Sequence, residues 1–330
     1  MILSNHYSKC EARDTEKGAK IYVAGHNGMV GSAIVRELKK QGYTNIICRD
    51  HSTLDLTRQA EVERFFEQEK PEYVFVAAAL VGGIRANSER PVEFGLVNMQ
   101  IACNVIKSAF DCGVKKLLYL GSACIYPNDC DFPIKEDALL SGRLEQTNEA
   151  YAIAKSFGTR LCEYYHREYG ADFVAVMPAN CYGENDSFDP KNCHVIPALI
   201  RKYHEAKQNG VKQIELWGTG SAKREFIYVD DLANACVFVM NNYSGNSFLN
   251  VGTSEEISIL ELTKIISETV GYTGEIVCDT SKPDGKLRNV IDSSRLISLG
   301  WKPKYTIRTG IKKLYEFYLK TIVNGGSGNE

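Results

Sequence analysis

No segment of the chain stays apolar for the roughly 18 residues a membrane-spanning helix needs, so nothing in the 330 residues reads as a bilayer anchor. A basic excess is missing too. The 39 Lys and Arg stand against 41 Asp and Glu, a net charge of −2 that excludes the cationic surface of a nucleic-acid binder. Residues 1–18 are polar and charged and lack the apolar centre of a signal peptide; they read as a flexible leader. No two of the eleven cysteines form a CxxC pair, and their number is odd, which argues against a zinc site and a disulfide framework. No metal is therefore expected. Cysteines inside apolar runs read as small hydrophobes kept in a reducing compartment, and the expected setting is the cytoplasm. There is no internal repeat.

What is present is a globular composition, 44% hydrophobic and 10% aromatic, enough for a sizeable core. Short apolar runs alternate with helical patterns through the first half. Lys20–Ala24, Asn45–Arg49, Tyr73–Ala77, Lys116–Leu120 and Phe173–Met177 read as strands; Val30–Gln41, Arg58–Glu69, Val92–Asp111 and Asn148–Tyr169 read as helices. Near-continuous apolar strands separated by helices indicate a parallel sheet covered on both faces. The expected fold is α/β: a Rossmann-type doubly wound sheet over residues 19–179, with a smaller C-terminal α/β lobe over 180–321. Some later segments return to the sheet, and 322–330 form a flexible tail. In the second lobe, Ile257–Val270 and Thr309–Thr321 read as helices.

Gly25-His26-Asn27-Gly28-Met29-Val30-Gly31 follows the first strand and opens the first helix. Glycines at this turn let the backbone approach a pyrophosphate, and the helix start aims its amides at the phosphates. The end of the second strand, where the adenosine ribose lies, reads Cys48-Arg49-Asp50-His51. Arg49 with His51 favours a 2′-phosphate and hence NADP; Asp50 favours a ribose hydroxyl and hence NAD. The balance leans to NADP(H).

Tyr151 and Lys155 sit four apart on a helix and share one face. An ammonium near a phenol lowers its pKa toward a workable acid. Ser122 follows the fourth strand, where a hydroxyl can hold a substrate carbonyl. Cys124 and His194 have side chains suited to proton transfer, the thiol when its pKa is lowered.

With these motifs the sequence resembles the extended short-chain dehydrogenase/reductase family over about Lys20–Leu319. AGHNGMVGSAI from Ala24, VGGIRAN from Val81, GSACIYP from Gly121 and TNEAYAIAKSFG from Thr147 carry it. So do NCHVIPALIRKYHEA from Asn192, WGTGSAKREFIYVDDLA from Trp217 and KPDGKLRN from Lys282. Cys124 and the Cys193–Pro197 segment point to the branch that epimerises and reduces GDP-4-keto-6-deoxy-D-mannose. The resemblance implies Cys124 as base, His194 as acid, and Tyr151 as proton donor to the C4 oxygen, with Ser122 and Lys155 assisting. It also implies cofactor contacts at Gly25, Asn27, Gly28, Met29, Val30, Gly31, Arg49, His51, Asp55, Leu56, Leu120, Gly121, Ser122, Lys155, Pro178, Asn180, Cys181 and His194. Lys202, Trp217, Arg224 and Asp284 would hold the GDP-sugar, and the family is usually a homodimer. The alternative is another nucleotide-sugar 4-epimerase, reductase or 4,6-dehydratase of the family. A dehydratase carries an acidic pair where this chain reads Ser122-Ala123-Cys124. A redox-sensing protein that only binds NADP usually loses the Tyr or Lys retained here.

Overall fold

The computed structural model describes residues 16–190, 193–282, 284 and 287–323. The rest of the expected leader (1–15) and tail (324–330), with Asn192, Pro283, Gly285 and Lys286 of the quoted motifs, lie outside the described residues.

The first half runs β1 (Ile21–Ala24), α1 (Met29–Lys40), β2 (Ile46–Ile47), α2 (Gln59–Glu69), β3 (Tyr73–Val76), α3 (Ile84–Glu89), α4 (Pro91–Asp111), β4 (Lys116–Leu120), α5 (Glu149–Tyr169) and β5 (Phe173–Pro178). Every residue of β1 and β4 is buried, as a sheet packed on both faces requires. The second half continues with β6 (Asn180–Tyr182), α6 (Val195–Gln208), β7 (Gln213–Trp217), β8 (Lys223–Tyr228), α7 (Val229–Asn242), β9 (Leu249–Val251), β10 (Glu256–Ser258), α8 (Ile259–Val270), β11 (Glu275–Asp279), β12 (Arg288–Asn289), α9 (Ser294–Ser298) and α10 (Ile307–Tyr318).

Six parallel strands form one sheet in the order β2-β1-β3-β4-β5-β9. Strand order reverses between β1 and β3, which opens a crevice at their carboxyl ends, the binding place of doubly wound folds. Two small sheets, β10-β8-β12 with β6 on β8, and β11-β7, belong to the second lobe. The core is correspondingly in two parts. One packs around Val23, Phe75, Leu118 and Val176; the other gathers Ile196, Tyr203, Ile214, Leu262 and Leu314. The chain crosses back once the second lobe has begun: α7 and β9 join the first core.

Where elements differ from expectation, caps are the reason. The helix expected from Ile257 starts at Ile259, because Ser258 and Glu261 cap each other and Ile257 pairs with Arg224 instead. The helix expected from Thr309 starts at Ile307, since Thr306 caps against Thr309. It ends at Tyr318, followed by a wider turn over Leu319–Val323. The second strand contracts to Ile46–Ile47. No helix among the described residues is long and apolar enough to cross a membrane.

Candidate active site

The glycine loop is built by close backbone approach. Gly25 has φ +81°, and a methyl there would lie 2.7 Å from the Ala78 backbone beyond β3. A methyl at Gly31 would lie 2.6 Å from the Gly25 carbonyl carbon and 2.9 Å from His26 N. These approaches press α1 against the loop, with Met29, Val30 and Gly31 in its first turn. Gly28 caps α1 without a side chain, and the first turn holds no acid. Its amides and positive dipole end are therefore free for an anion. Gly28 itself is roomier: a methyl would sit 3.4 Å from Gly25 O.

Beyond β2, the Arg49 guanidinium turns to α2, where it pairs with Glu69 and lies over the Phe65 ring. Asp50 faces the glycine loop: it accepts from Asn27 Nδ2 at 2.5 Å and lies 3.4 Å from His26 Nε2. His51 is exposed, 3.9 Å from Asp55. The Asp55 carboxyl is held below its ordinary value by the Thr57 hydroxyl and amide, against the opposing effect of desolvation. Leu56 is buried, and its carbonyl accepts from Asn104.

The reacting groups converge at the end of β4. Ser122 Oγ caps a short 3-10 turn, Ala123–Ile125, by accepting from Cys124 N at 3.4 Å. The Ser122 side chain also acts on the Tyr151 phenol and the Cys124 thiol, drawing the pKa of each down against burial. Lys155 Nζ donates to Leu120 O at 2.8 Å and lies 4.9 Å from the Tyr119 ring centre. Gly158 lets α5 come this close, since a methyl there would meet the Tyr119 hydroxyl at 2.6 Å. Gly121 is backed by the Met177 side chain.

Two expected shifts run the other way. Burial pushes the Tyr151 phenol well above its ordinary value, with the Cys124 thiol adding and Ser122 opposing. Lys155, which donates to Leu120 O with its Nζ 5.9 Å from the Tyr151 ring centre, does not offset this. Burial likewise pushes the Cys124 thiol up to about 11, opposed by Ser122 and Lys155. Lys155 itself is brought down to about 8 by burial. The sequence carries the residue types; the depth that sets these shifts is a property of the fold.

His194 caps the start of α6 from the second lobe. Its Nδ1 lies 3.2 Å from Asp186 Oδ1, and this bond raises its pKa despite partial burial. The preceding Cys193 carbonyl would be 3.9 Å from a methyl at Gly83, so this loop faces the Val81–Gly83 segment. That segment packs on Phe94, which meets Tyr151 edge to face at 6.5 Å. Sequence reasoning missed Asp186: it stands eight residues before His194 in an irregular loop, and no spacing rule marks it. Pro178 ends β5, Asn180 donates to Glu225 O, and burial pushes the Cys181 thiol up.

In the second lobe, Lys202 Nζ donates to Glu215 O at 2.6 Å, two residues before Trp217 on β7. Trp217 is 70% exposed, with Lys282 Nζ 6.0 Å from its ring centre. Asp284 accepts from Thr219 N at 2.9 Å and from its hydroxyl at 2.8 Å, so Lys202, Trp217 and Asp284 gather along β7 and the turn that follows it. Arg224 lies on the other small sheet, donating to Lys223 O. Among the described residues no His, Cys, Asp and Glu cluster could hold a metal ion.

A doubly wound sheet, a glycine cradle at its switch point and a Ser–Tyr–Lys set beside it define a nicotinamide-dependent oxidoreductase of the Rossmann type. The model of the "NAD dependent epimerase/dehydratase family" matches residues 21–252, and the chain belongs to that family. GDP-L-fucose synthase 1 of Arabidopsis thaliana is 54% identical over 94% of this chain and 96% of its own. GDP-L-fucose synthase of Escherichia coli (strain K12) is 44% identical over 91% and 97%. A solved structure described as a GDP-L-fucose synthetase from Naegleria fowleri bound to NADP superposes with a TM-score of 0.88, at 30% identity over 96% and 98%.

Proposed function

We propose that the protein epimerises carbons 3 and 5 of GDP-4-keto-6-deoxy-D-mannose and then reduces carbon 4 with NADPH, giving GDP-L-fucose. One observation carries the reading: Ser122, Cys124 and Tyr151 come together at the end of β4, where the Ser122 side chain acts on both the phenol and the thiol and so joins the reducing group to the base. The names of the relatives and the NADP in the neighbouring structure support it.

The glycine cradle fits a dinucleotide. Gly25, Asn27, Gly28, Met29, Val30 and Gly31 would hold the pyrophosphate, and Arg49, turned from Glu69, would hold a 2′-phosphate with His51 beside it. Asp55, Leu56, Leu120, Gly121, Pro178, Asn180 and Cys181 supply the remaining contacts. Bound there, NADPH provides the hydride for carbon 4. Protons at carbons 3 and 5 are acidic because both flank the ketone. Cys124 removes them on one face, His194 returns them on the other, and Ser122 and Tyr151 hold the carbonyl oxygen while it carries charge. Burial keeps Tyr151 protonated at neutral pH, the state a donor to the C4 oxygen needs. Lys155 holds the nicotinamide ribose. Lys202 and Arg224 face the diphosphate, Trp217 offers a stacking face, and Asp284 accepts from the ligand next to Thr219.

On the outer faces of α4 and α5, Val92, Leu96, Ile153, Phe157 and Tyr164 are exposed. The two helices pack on each other, and doubling this face makes a four-helix homodimer, to be read as twice 36.8 kDa in light scattering. None of the ten cysteines in the described residues is in a disulfide, which supports a cytoplasmic setting; cell fractionation checks it. The function is tested by incubating the protein with NADPH and GDP-4-keto-6-deoxy-D-mannose. GDP-L-fucose is the expected product, and a GDP-6-deoxyhexose of unchanged C3 and C5 configuration would overturn the reading.

A further inference from the structure

His194 is gripped from within the protein. Its Nδ1 lies 3.2 Å from Asp186 Oδ1; the His194 side chain is 47% exposed and that of Asp186 only 4%. The same Oδ1 accepts from Ser187 N at 2.8 Å, while Oδ2 is buried with no hydrogen-bond partner among the described residues. A carboxylate taken this far from water needs a positive partner. The titratable and charged groups around this corner are Cys181 on β6, Cys193 and Asp189 on the loop, Asp230 on α7 and Arg201 on α6. Arg201 is already bonded to Glu205 and to Phe188 O. Burial holds both thiols up, in the protonated state. Among the described residues, His194 is thus the group in hydrogen-bond reach of Asp186 that can carry a positive charge.

The carboxylate is also anchored to the cofactor side of the cleft. Asn185 is left-handed at φ +67°, and its Nδ2 donates to Ser32 Oγ on α1 at 2.9 Å. Glu184 lies 3.8 Å from Arg36 on the same helix. The segment that carries Asp186 is therefore pinned to the helix that follows the glycine loop.

We propose that Asp186 is a positioning residue for proton transfer: its buried carboxylate holds Nδ1 of His194 and leaves Nε2 to carry the exchanged proton. What Nε2 does at the sugar rests on the function proposed above; the pairing itself does not. With Cys124 held at about 11 by burial, the working pair is thiolate with imidazolium, the minority form. Its fraction rises with pH up to the His194 pKa and is then flat until the thiol titrates. The plateau lies lower by tenfold for each pH unit separating the two groups. Removing the carboxylate lowers the histidine pKa, so the lower break moves to lower pH and the plateau drops by the same factor.

The test uses the full chain with its six histidines carbon-labelled at Cε1, His194→Asn serving for assignment. In an NMR titration without substrate, Asp186→Asn is expected to lower the His194 pKa and Asp186→Glu to restore part of it. Equal values in wild type and Asp186→Asn overturn the pairing. The second arm follows deuterium exchange at carbons 3 and 5 of GDP-4-keto-6-deoxy-D-mannose without NADPH. Asp186→Asn is expected to move the lower break down and lose about tenfold in plateau for each pH unit moved, with partial rescue by Asp186→Glu. Added to His194→Asn it should cost nothing further. A rate lowered at every pH with the break unmoved, or a further loss on the His194→Asn background, marks a merely structural role and overturns the proposal. If wild type exchanges nothing, the substrate reading has failed, and the titration still decides the pair.

Discussion

Adding one methyl group to Gly31 should undo the cofactor site, whereas the same change at Gly28 should leave the free protein intact. At Gly31 the new carbon would stand 2.6 Å from the Gly25 carbonyl carbon and 2.9 Å from His26 N. Both are backbone atoms and cannot swing aside. Ordinary carbon contact begins near 3.5 Å, so α1 and the loop must part by about 1 Å. Overpacking of this kind costs about 1–3 kcal/mol. A 1 Å error at a binding site can cost on the order of 10² in rate. At Gly28 the carbon would meet only Gly25 O at 3.4 Å, an ordinary contact, so stability should hold and any loss should appear on adding the dinucleotide. Gly42→Ala is the control: φ is +86° with nothing within 4 Å, so strain of about 1 kcal/mol is expected without loss of binding. Thermal melts with and without NADPH give both quantities. Gly31→Ala should melt well below wild type and fail to be stabilised by NADPH. Melting and NADPH stabilisation equal to wild type would refute the close-approach reasoning.

Four further outcomes are expected. Tyr151→Phe should lose about 10²–10⁴ in NADPH oxidation while deuterium exchange at carbons 3 and 5 persists; unchanged NADPH oxidation would remove the phenol from the reduction. Cys124→Ser should abolish that exchange and reduce the unepimerised ketone directly, whereas normal deuterium incorporation would return the thiol to the structural cysteines. In wild type the exchange rate should rise with pH through the His194 pKa and then stay flat toward pH 11. The reason is that burial holds the thiol at about 11 while Asp186 holds the imidazole above its ordinary value; a rate already falling by pH 9 would show that another group supplies the base. Calorimetry should find NADPH bound more tightly than NADH, the difference shrinking in Arg49→Ala; equal or tighter NADH binding would give the ribose site to Asp50.

Much of the fold is written in local pattern. IYVA, YVFV and KLLYL are buried almost throughout and alternate with helices, so a parallel sheet follows from the sequence alone. Helix starts in the second lobe were legible only to within two residues, because Ser258 and Thr306 decide them through reciprocal side-chain bonds. That three residues, Leu249–Val251, return to pair with β5 is set by α7 packing against the first core. In the site, the motifs placed Ser122, Cys124 and Tyr151 on neighbouring elements, and the structure brings them together at the end of β4. Spacing does not encode how deep those groups lie, and burial reverses the expected shifts of Tyr151 and Cys124. Nor does it show that Arg49 turns to Glu69 while Asp50 faces Asn27, since that choice depends on α2 lying alongside.

The central claim is that one cleft both exchanges the protons beside the ketone and reduces the ketone itself. The most direct measurement is the proton spectrum of the sugar made by the wild-type protein from GDP-4-keto-6-deoxy-D-mannose and unlabelled NADPH in D₂O. The account predicts GDP-L-fucose with deuterium at carbons 3 and 5 and protium at carbon 4. A product reduced at carbon 4 that keeps protium at carbons 3 and 5 would contradict it, leaving a reductase without the epimerase.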